Sequence, residues 1–264
     1  MTTNPKRRGP PDAETAPVAP AVPADDVARP RKSAPILLVA GFAVLAACLF
    51  LFGVLAEGIR DGEVFLMDTL ATPFFHALAS PAMDALMNLF TLIGSIYVIP
   101  VLYAVTMIVL VVQRRYGAAL FLTVASGGAL LLNGAMKLFF ERPRPQVPWA
   151  NVLPDYSFPS GHTMNSVAFY GALAVIVWSI AGRRWGTVAI ISAAVLCTLI
   201  GISRIYLGYH YFTDVIGGAL AGVSWLLITM AVFRVRPLAT WWTAPSDRRE
   251  SSARPTRTTS SNRS

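Results

Sequence analysis

Residues 186–218 read GTVAIISAAVLCTLIGISRIYLGYHYFTDVIGG, and the fold turns on them. An uncharged run over 186–202 gives way to Ser203-Arg204, then to His210 and Asp214, and a second uncharged run occupies 215–233. About 20 apolar residues, rising ~1.5 Å each, cross a bilayer. The run over 186–202 is the shorter of the two and still reaches most of the way. Arg204, His210 and Asp214 therefore sit where one crossing ends and the next begins. Ionisable groups at membrane depth are costly and mark functional sites by default.

Outward from this stretch, further uncharged runs cover 34–56, 88–112, 116–136 and 163–181. Six runs predict an all-α polytopic membrane protein, a six-transmembrane-helix bundle. Composition agrees: 55% of the 264 residues are hydrophobic and 14% charged, against roughly 25% charged in soluble domains. The first run is too long, and starts too far behind a polar tail, for a secretory signal peptide. Residues 1–33 are rich in Pro, Ala and charge and are expected to be a disordered tail. The transmembrane domain is expected over 34–236. A disordered basic tail follows over 237–264, where Trp241 and Trp242 suit the headgroup level.

The net charge of +8 does not point to nucleic acid, because no aromatic-studded basic groove accompanies it. Basic residues crowd instead into the tails and two short loops. Arg7, Arg8, Arg29, Arg31 and Lys32 precede the first run; Arg114-Arg115 and Arg183-Arg184 occupy tight loops; Arg234 and Arg236 follow the sixth run. Between the first two runs lie Glu57, Asp61, Glu63, Asp68 and Asp84 against Arg60. By the positive-inside rule both termini are cytoplasmic, and the loops after the first, third and fifth runs face outward. The expectation is a multi-pass protein of the cell (inner) membrane whose polar clusters all face the exterior.

Several features read as structural. Cys48 and Cys197 lie inside apolar runs as small buried hydrophobes. Ser126, Gly127, Gly128, Asn133, Gly134, Gly217, Gly218 and Gly222 suit close helix packing. The segment 64–87, interrupted by Pro73 and Pro81, fits either a short interfacial helix or a hairpin packed on the bundle. His76 within it reads as structural or interfacial.

Three clusters carry the chemistry. Phosphoryl transfer is mostly positioning plus neutralisation of oxygen charge, and without metal that charge must come from Arg and Lys. Lys137 ends the third run, and Arg144 follows in Glu141-Arg142-Pro143-Arg144-Pro145, where the prolines stop the helix and stiffen its exit. Arg204 adds a third cation. The guanidinium fork suits phosphate geometry, and lysine adds a point charge; a snorkelling residue is the alternative for each taken singly. In Pro159-Ser160-Gly161-His162, Gly161 permits close backbone approach, Ser160 offers a hydroxyl, and His162 can protonate a departing alkoxide. His210 and Asp214 stand one helical turn apart. A carboxylate on one imidazole nitrogen fixes the tautomer and leaves the other nitrogen as a directed nucleophile. Asp214 also fits a helix N-terminal acid favoured by the dipole. Zinc on two histidines and a carboxylate is the competing reading, opposed by the three neighbouring cations.

Lys137-x6-Arg144-Pro145, Pro159-Ser160-Gly161-His162 and Ser203-Arg204-x5-His210-x3-Asp214 together resemble the three-part signature of the type 2 phosphatidic acid phosphatase superfamily, which also contains the vanadium-dependent haloperoxidases. All three parts occur in order with matching internal spacing, and the six-run layout extends the similarity over roughly 50–236. The resemblance implies His210 as nucleophile with Asp214 orienting it, and His162 as general acid that later deprotonates water. It implies that Lys137, Arg144 and Arg204 hold the phosphate, assisted by Ser160 and the Gly161 amide. It further implies a phosphohistidine intermediate, no cofactor and no metal. The expected activity is hydrolysis of a lipid phosphate or diphosphate such as phosphatidate, phosphatidylglycerol phosphate or a polyprenyl diphosphate, with polyprenyl diphosphate recycling the first expectation. The expected partners are that substrate and the bilayer. Transfer to an acceptor alcohol, or lipid binding without catalysis, are the alternatives; the His210–Asp214 pair and His162 disfavour the latter, since binding alone needs only cations.

Overall fold

The computed structural model describes residues 33–151 and 153–234. They form seven helices and, among the described residues, no strand: α1 (Ser33–Arg60), α2 (Leu66–His76), α3 (Pro81–Ile93), α4 (Val98–Val112), α5 (Tyr116–Phe140), α6 (Gly161–Tyr206) and α7 (Phe212–Arg234). The tails expected over 1–33 and 237–264, with Trp241 and Trp242, fall outside the described residues apart from Ser33, which opens α1. Four helices are long and apolar enough to cross a membrane, or five if the bent pair α3–α4 counts as one span.

The six expected runs all fall on these helices, with breaks in two places that composition does not show. First, α6 runs through 46 residues, which would measure about 69 Å if straight. It is not straight. Gly182 takes φ 79° and ψ −176°, a conformation that suits glycine. A side chain at Gly201 would reach within 3.7 Å of Thr163 Oγ1, so 183–206 folds back alongside 161–181. The two expected spans there are two helical stretches that meet at the break at Gly182. Second, 88–112 is not one helix but α3 and α4, bent by 45°. A Cβ at Gly94 would lie 2.5 Å from Ile200, so the chain breaks where it crosses α6. Ser95 Oγ then accepts the amides of Tyr97 (3.2 Å) and Val98 (3.3 Å) and starts α4.

The centre of the bundle joins α5, both limbs of α6 and α7 through Phe121, Leu122, Phe169, Ile200 and Phe233. Lipid tails are as apolar as these side chains, so close van der Waals contact, not exclusion from water, must hold the helices together. Small residues provide it. A Cβ at Gly218 would sit 2.7 Å from Ser160 O, and one at Gly222 would sit 2.9 Å from Met164 O. Gly128 faces the Trp225 ring, whose Nε1 donates to Ala125 O at 3.0 Å. Gly127 and Gly134 were expected in the same role, but a Cβ on either meets nothing within 4 Å. They lie off the contact.

This connectivity gathers the polar clusters at one end. The end of α5, both ends of α6 and the start of α7 meet there, while Arg114-Arg115 and Arg183-Arg184 lie at the far ends of the same helices. The segment 64–87 resolves into α2 and the first turns of α3, with Ser80 Oγ accepting the Met83 amide at the cap. α2 exposes Leu66, Met67, Leu70 and Phe74 and buries Asp68 and Thr72 on its opposite face. His76 stacks on Trp149 with centroids 3.6 Å apart and planes 3° apart, in keeping with a structural role.

Candidate active site

Glu141 ends α5 in the left-handed region at φ 47°, its amide on Lys137 O. Pro143 and Pro145 then keep Arg142 and Arg144 out of helical geometry, which throws both guanidinium groups across the end of the bundle. The chain laps back on itself: the Ser157 amide donates to Arg142 O (2.8 Å) and Ser157 Oγ to Pro143 O (3.0 Å). Phe158 is buried, stacked on Phe52 at 5.7 Å and edge-on to Phe140 at 4.9 Å. After the cis Phe158–Pro159 bond, Asn133 Nδ2 donates to Pro159 O at 3.1 Å. The Ser160 amide donates to Asp214 O at 2.9 Å. That last bond ties the Ser160-Gly161-His162 turn directly to the start of α7.

His210 and Asp214 are buried and adjacent, with Nδ1 3.3 Å from Oδ2. On its other side, Nε2 lies 3.2 Å from Arg144 Nη1. Guanidinium nitrogens only donate, so Nε2 must accept and the ring proton sits on Nδ1, toward Asp214. The network assigns the tautomer, with the lone pair on Nε2. Burial first, then the charges of Arg204, Arg144 and Lys137, hold the His210 imidazole well below its ordinary pKa, so it is neutral at pH 7. Asp214 also reaches back from the first turn of α7 to the Tyr211 amide at 2.9 Å. It is both the helix-start acid and the imidazole's partner.

The cations ring the same point. Arg144 donates from Nη1 to Tyr209 O (2.7 Å) as well as facing Nε2. Arg204 is buried, donates to Thr91 Oγ1 at 2.6 Å and lies 4.4 Å from the Tyr209 ring centroid. Its Nε has no hydrogen-bond partner among the described residues. His162, at the start of α6, is within electrostatic reach of His210, Arg204, Lys137 and Arg144. Ser160 precedes α6 as its cap residue, but its hydroxyl takes no amide of the helix and accepts from Thr163 Oγ1 at 3.1 Å. Gly161 passes so close to Asn133 that a Cβ would fall 2.8 Å from Oδ1.

Four residues given no place in the site from the sequence belong to it. Asp155 lays its carboxylate across Lys137 Nζ and Arg144, at 2.7 Å from Nη2 and 3.1 Å from Nε. Burial pushes its carboxyl up, but the hydrogen bonds and charges of Lys137 and then Arg144 outweigh this and lower it. Arg142 donates to Asp214 Oδ1 (2.6 Å), Thr213 Oγ1 (2.7 Å) and Asp68 Oδ2 (2.7 Å). Asp68 in turn accepts the Thr213 amide at 2.8 Å and hydroxyl at 2.7 Å. Removing one partner of a buried ion pair costs about 3–5 kcal/mol, so these links hold the site's shape. Four cations (Lys137, Arg142, Arg144, Arg204) stand against three carboxylates (Asp68, Asp155, Asp214). With His210 neutral, the four cations outnumber the three carboxylates by one before His162 is counted, and the centre suits an anion.

All eight residues singled out from the sequence thus converge at one end of the bundle, around His210. Fold and site define a multi-pass membrane protein built to handle phosphate. Residues 115–237 match the PAP2 superfamily. The chain is 32% identical over 180 residues to phosphatidylglycerophosphatase B of Bacillus subtilis, across 66% of this chain and 88% of that one. It is 34% identical over 127 residues to lipid A 1-phosphatase of Rhizobium johnstonii, across 44% of this chain and 48% of that one. This chain therefore spans about half of the Rhizobium relative's length. It is also similar to the crystal structure of the Bacillus subtilis transmembrane PAP2-type phosphatidylglycerolphosphate phosphatase, with TM-score 0.65 and 25% identity, over 73% of this chain and 98% of that one. The chain belongs to the PAP2 superfamily. It is a membrane lipid phosphate phosphatase, as the resemblance of its signature residues implies.

Proposed function

We propose that the chain hydrolyses a lipid phosphate monoester of the phosphatidylglycerol phosphate class at the extracytoplasmic face, through a phosphohistidine on His210. The observation that carries this is the pairing of His210: Nδ1 on Asp214, and a lone-pair Nε2 turned to Arg144 within the cation ring. The substrate class follows the Bacillus relative, of which this chain covers 88%. In the first step Nε2 bonds to phosphorus as the ester P–O bond breaks, and His162, entering the step as imidazolium beside the bound phosphate dianion, gives its proton to the departing alkoxide. In the second, His162 takes a proton from water, whose oxygen attacks phosphorus while the N–P bond breaks. Lys137, Arg144 and Arg204 neutralise the phosphoryl oxygens throughout, assisted by Ser160 and the Gly161 amide. The incoming phosphate displaces the Asp155 carboxylate, which has a similar two-pronged hold on Lys137 and Arg144.

Full-length protein in detergent is expected to release inorganic phosphate from short-chain phosphatidylglycerol phosphate in the presence of EDTA, and vanadate should inhibit it. Strict dependence on a divalent metal overturns the mechanism. Faster turnover of a polyprenyl diphosphate in the same panel moves the substrate assignment to the diphosphates.

The outward face is supported by the arginine pairs at 114–115 and 183–184, which occupy the end of the bundle away from His210. A reporter active only outside the cytoplasm should give signal when fused after Gln146 and none when fused after Arg184. The reverse pattern puts the site, and the accessible lipids, on the cytoplasmic leaflet.

A further inference from the structure

Arg142 is held between two buried carboxylates from different parts of the chain: Asp214 at the start of α7 and Asp68 on α2. The signature leaves both Arg142 and Asp68 without a task, since Lys137, Arg144 and Arg204 suffice for phosphate. Asp68 lies 145 residues from Thr213 in sequence, yet accepts its amide and its hydroxyl, so a carboxylate from α2 closes the start of α7. A helix N-terminus favours such an acid. Thr213 Oγ1 relays the arrangement, accepting from Arg142 Nη1 while donating to Asp68 Oδ2.

The consequence falls on Asp214. Its Oδ1 is committed to Arg142 at 2.6 Å, which leaves Oδ2 for His210 Nδ1 at 3.3 Å and the Tyr211 amide at 2.9 Å. Were Arg142 free to swing, it could take both oxygens in the fork that guanidinium and carboxylate prefer, and the imidazole would lose its orienting partner. Asp68 prevents this by holding Nη2 to the opposite side. We propose that Asp68 is a positioning residue for the His210–Asp214 pair and acts through Arg142. The inference rests on reading His210 as the nucleophile. It also makes α2, whose other face is apolar and exposed, the element that fixes the geometry of the reacting imidazole.

A misplacement of about 1 Å in a reacting group costs on the order of 10²-fold. Asp68→Asn should therefore lower kcat about 10–100-fold toward short-chain phosphatidylglycerol phosphate. KM and the inhibition constant of inorganic phosphate should stay within about threefold, because the three phosphate-holding cations are untouched. The double variant Asp68→Asn/Arg142→Gln removes one charge of each sign, so it keeps the buried net charge, and it also removes the guanidinium that could take both Asp214 oxygens. Because Asp68 acts through Arg142, the double variant should turn over no more slowly than Asp68→Asn, with a monodisperse elution profile and KM again within about threefold of the parent. A folded Asp68→Asn variant with kcat within threefold of the parent overturns the proposal, and so does an equal loss in kcat and in phosphate binding, or a double variant clearly slower than Asp68→Asn. Failure of both variants to fold, while Lys137→Ala folds, makes the clamp structural only and also overturns it. His210→Ala measured alongside separates the two levels. If that variant still turns over, the nucleophile assignment fails; if it is inactive while Asp68→Asn is unimpaired, only the positioning role fails.

Discussion

His210→Ala is expected to slow phosphate release by on the order of 10⁴-fold or more, the largest effect of any single substitution in this protein. The reason is chemical and not a matter of packing. In a site where attack, leaving-group protonation and hydrolysis depend on one nucleophile, removing that nucleophile costs about as much as removing its whole constellation. The ring is buried, with Asp214 on one nitrogen and Arg144 on the other, so nothing nearby can substitute for Nε2. Alanine leaves the cations in place, and inorganic phosphate should still inhibit whatever residual activity remains. Near-normal turnover in the folded variant would assign the nucleophile elsewhere.

The second large effect belongs to His162 and depends on the leaving group. His162→Ala is expected to cost about 10²–10⁴-fold with a lipid phosphate, whose alkoxide needs a proton to depart. With p-nitrophenyl phosphate the phenolate leaves unaided, so the first step should survive and the second should stall for want of a base. The measurable sign is a burst of p-nitrophenol, stoichiometric with enzyme, followed by slow turnover. Equal losses for both substrates, with no burst, would remove His162 from proton transfer and leave it a binding residue at the start of α6.

Much of this was legible in the sequence, and the limits have physical causes. His210, Asp214 and Arg204 declare themselves because charge between two apolar runs demands an explanation, and the signature spacing then assigns roles. At Arg183-Arg184 composition shows that two crossings meet, while only the backbone at Gly182 (φ 79°) shows how tightly the chain turns between them. The break at Gly94 is invisible for a related reason. It answers to Ile200, which lies more than a hundred residues later.

The same holds for the supporting residues. Arg142 and Arg144 are chemically alike, two residues apart, each followed by proline. Local pattern cannot say that one turns to Asp155 and His210 and the other to Asp68 and Asp214. Asp68 counts in the sequence only as one more acid between the first two runs, and nothing in the local pattern singles out Asp155. Their partners lie across the fold, where a side chain's role is set by topology and not by its neighbours in sequence. Small residues mislead in the opposite direction. Gly218 and Gly222 do allow close contact, whereas Gly127 and Gly134 carry the same signal and face open space.

Trapping the covalent intermediate tests the central claim most directly. Full-length His162→Ala protein, mixed with a ³²P-labelled aryl phosphate and quenched, should retain label that is stable in base and lost in acid, as a phosphoramidate is. Proteolysis should place that label on the peptide containing Tyr209-His210-Tyr211, and the double variant His162→Ala/His210→Ala should carry none. Label on another residue, or label that persists in the double variant, contradicts direct capture of phosphorus by His210.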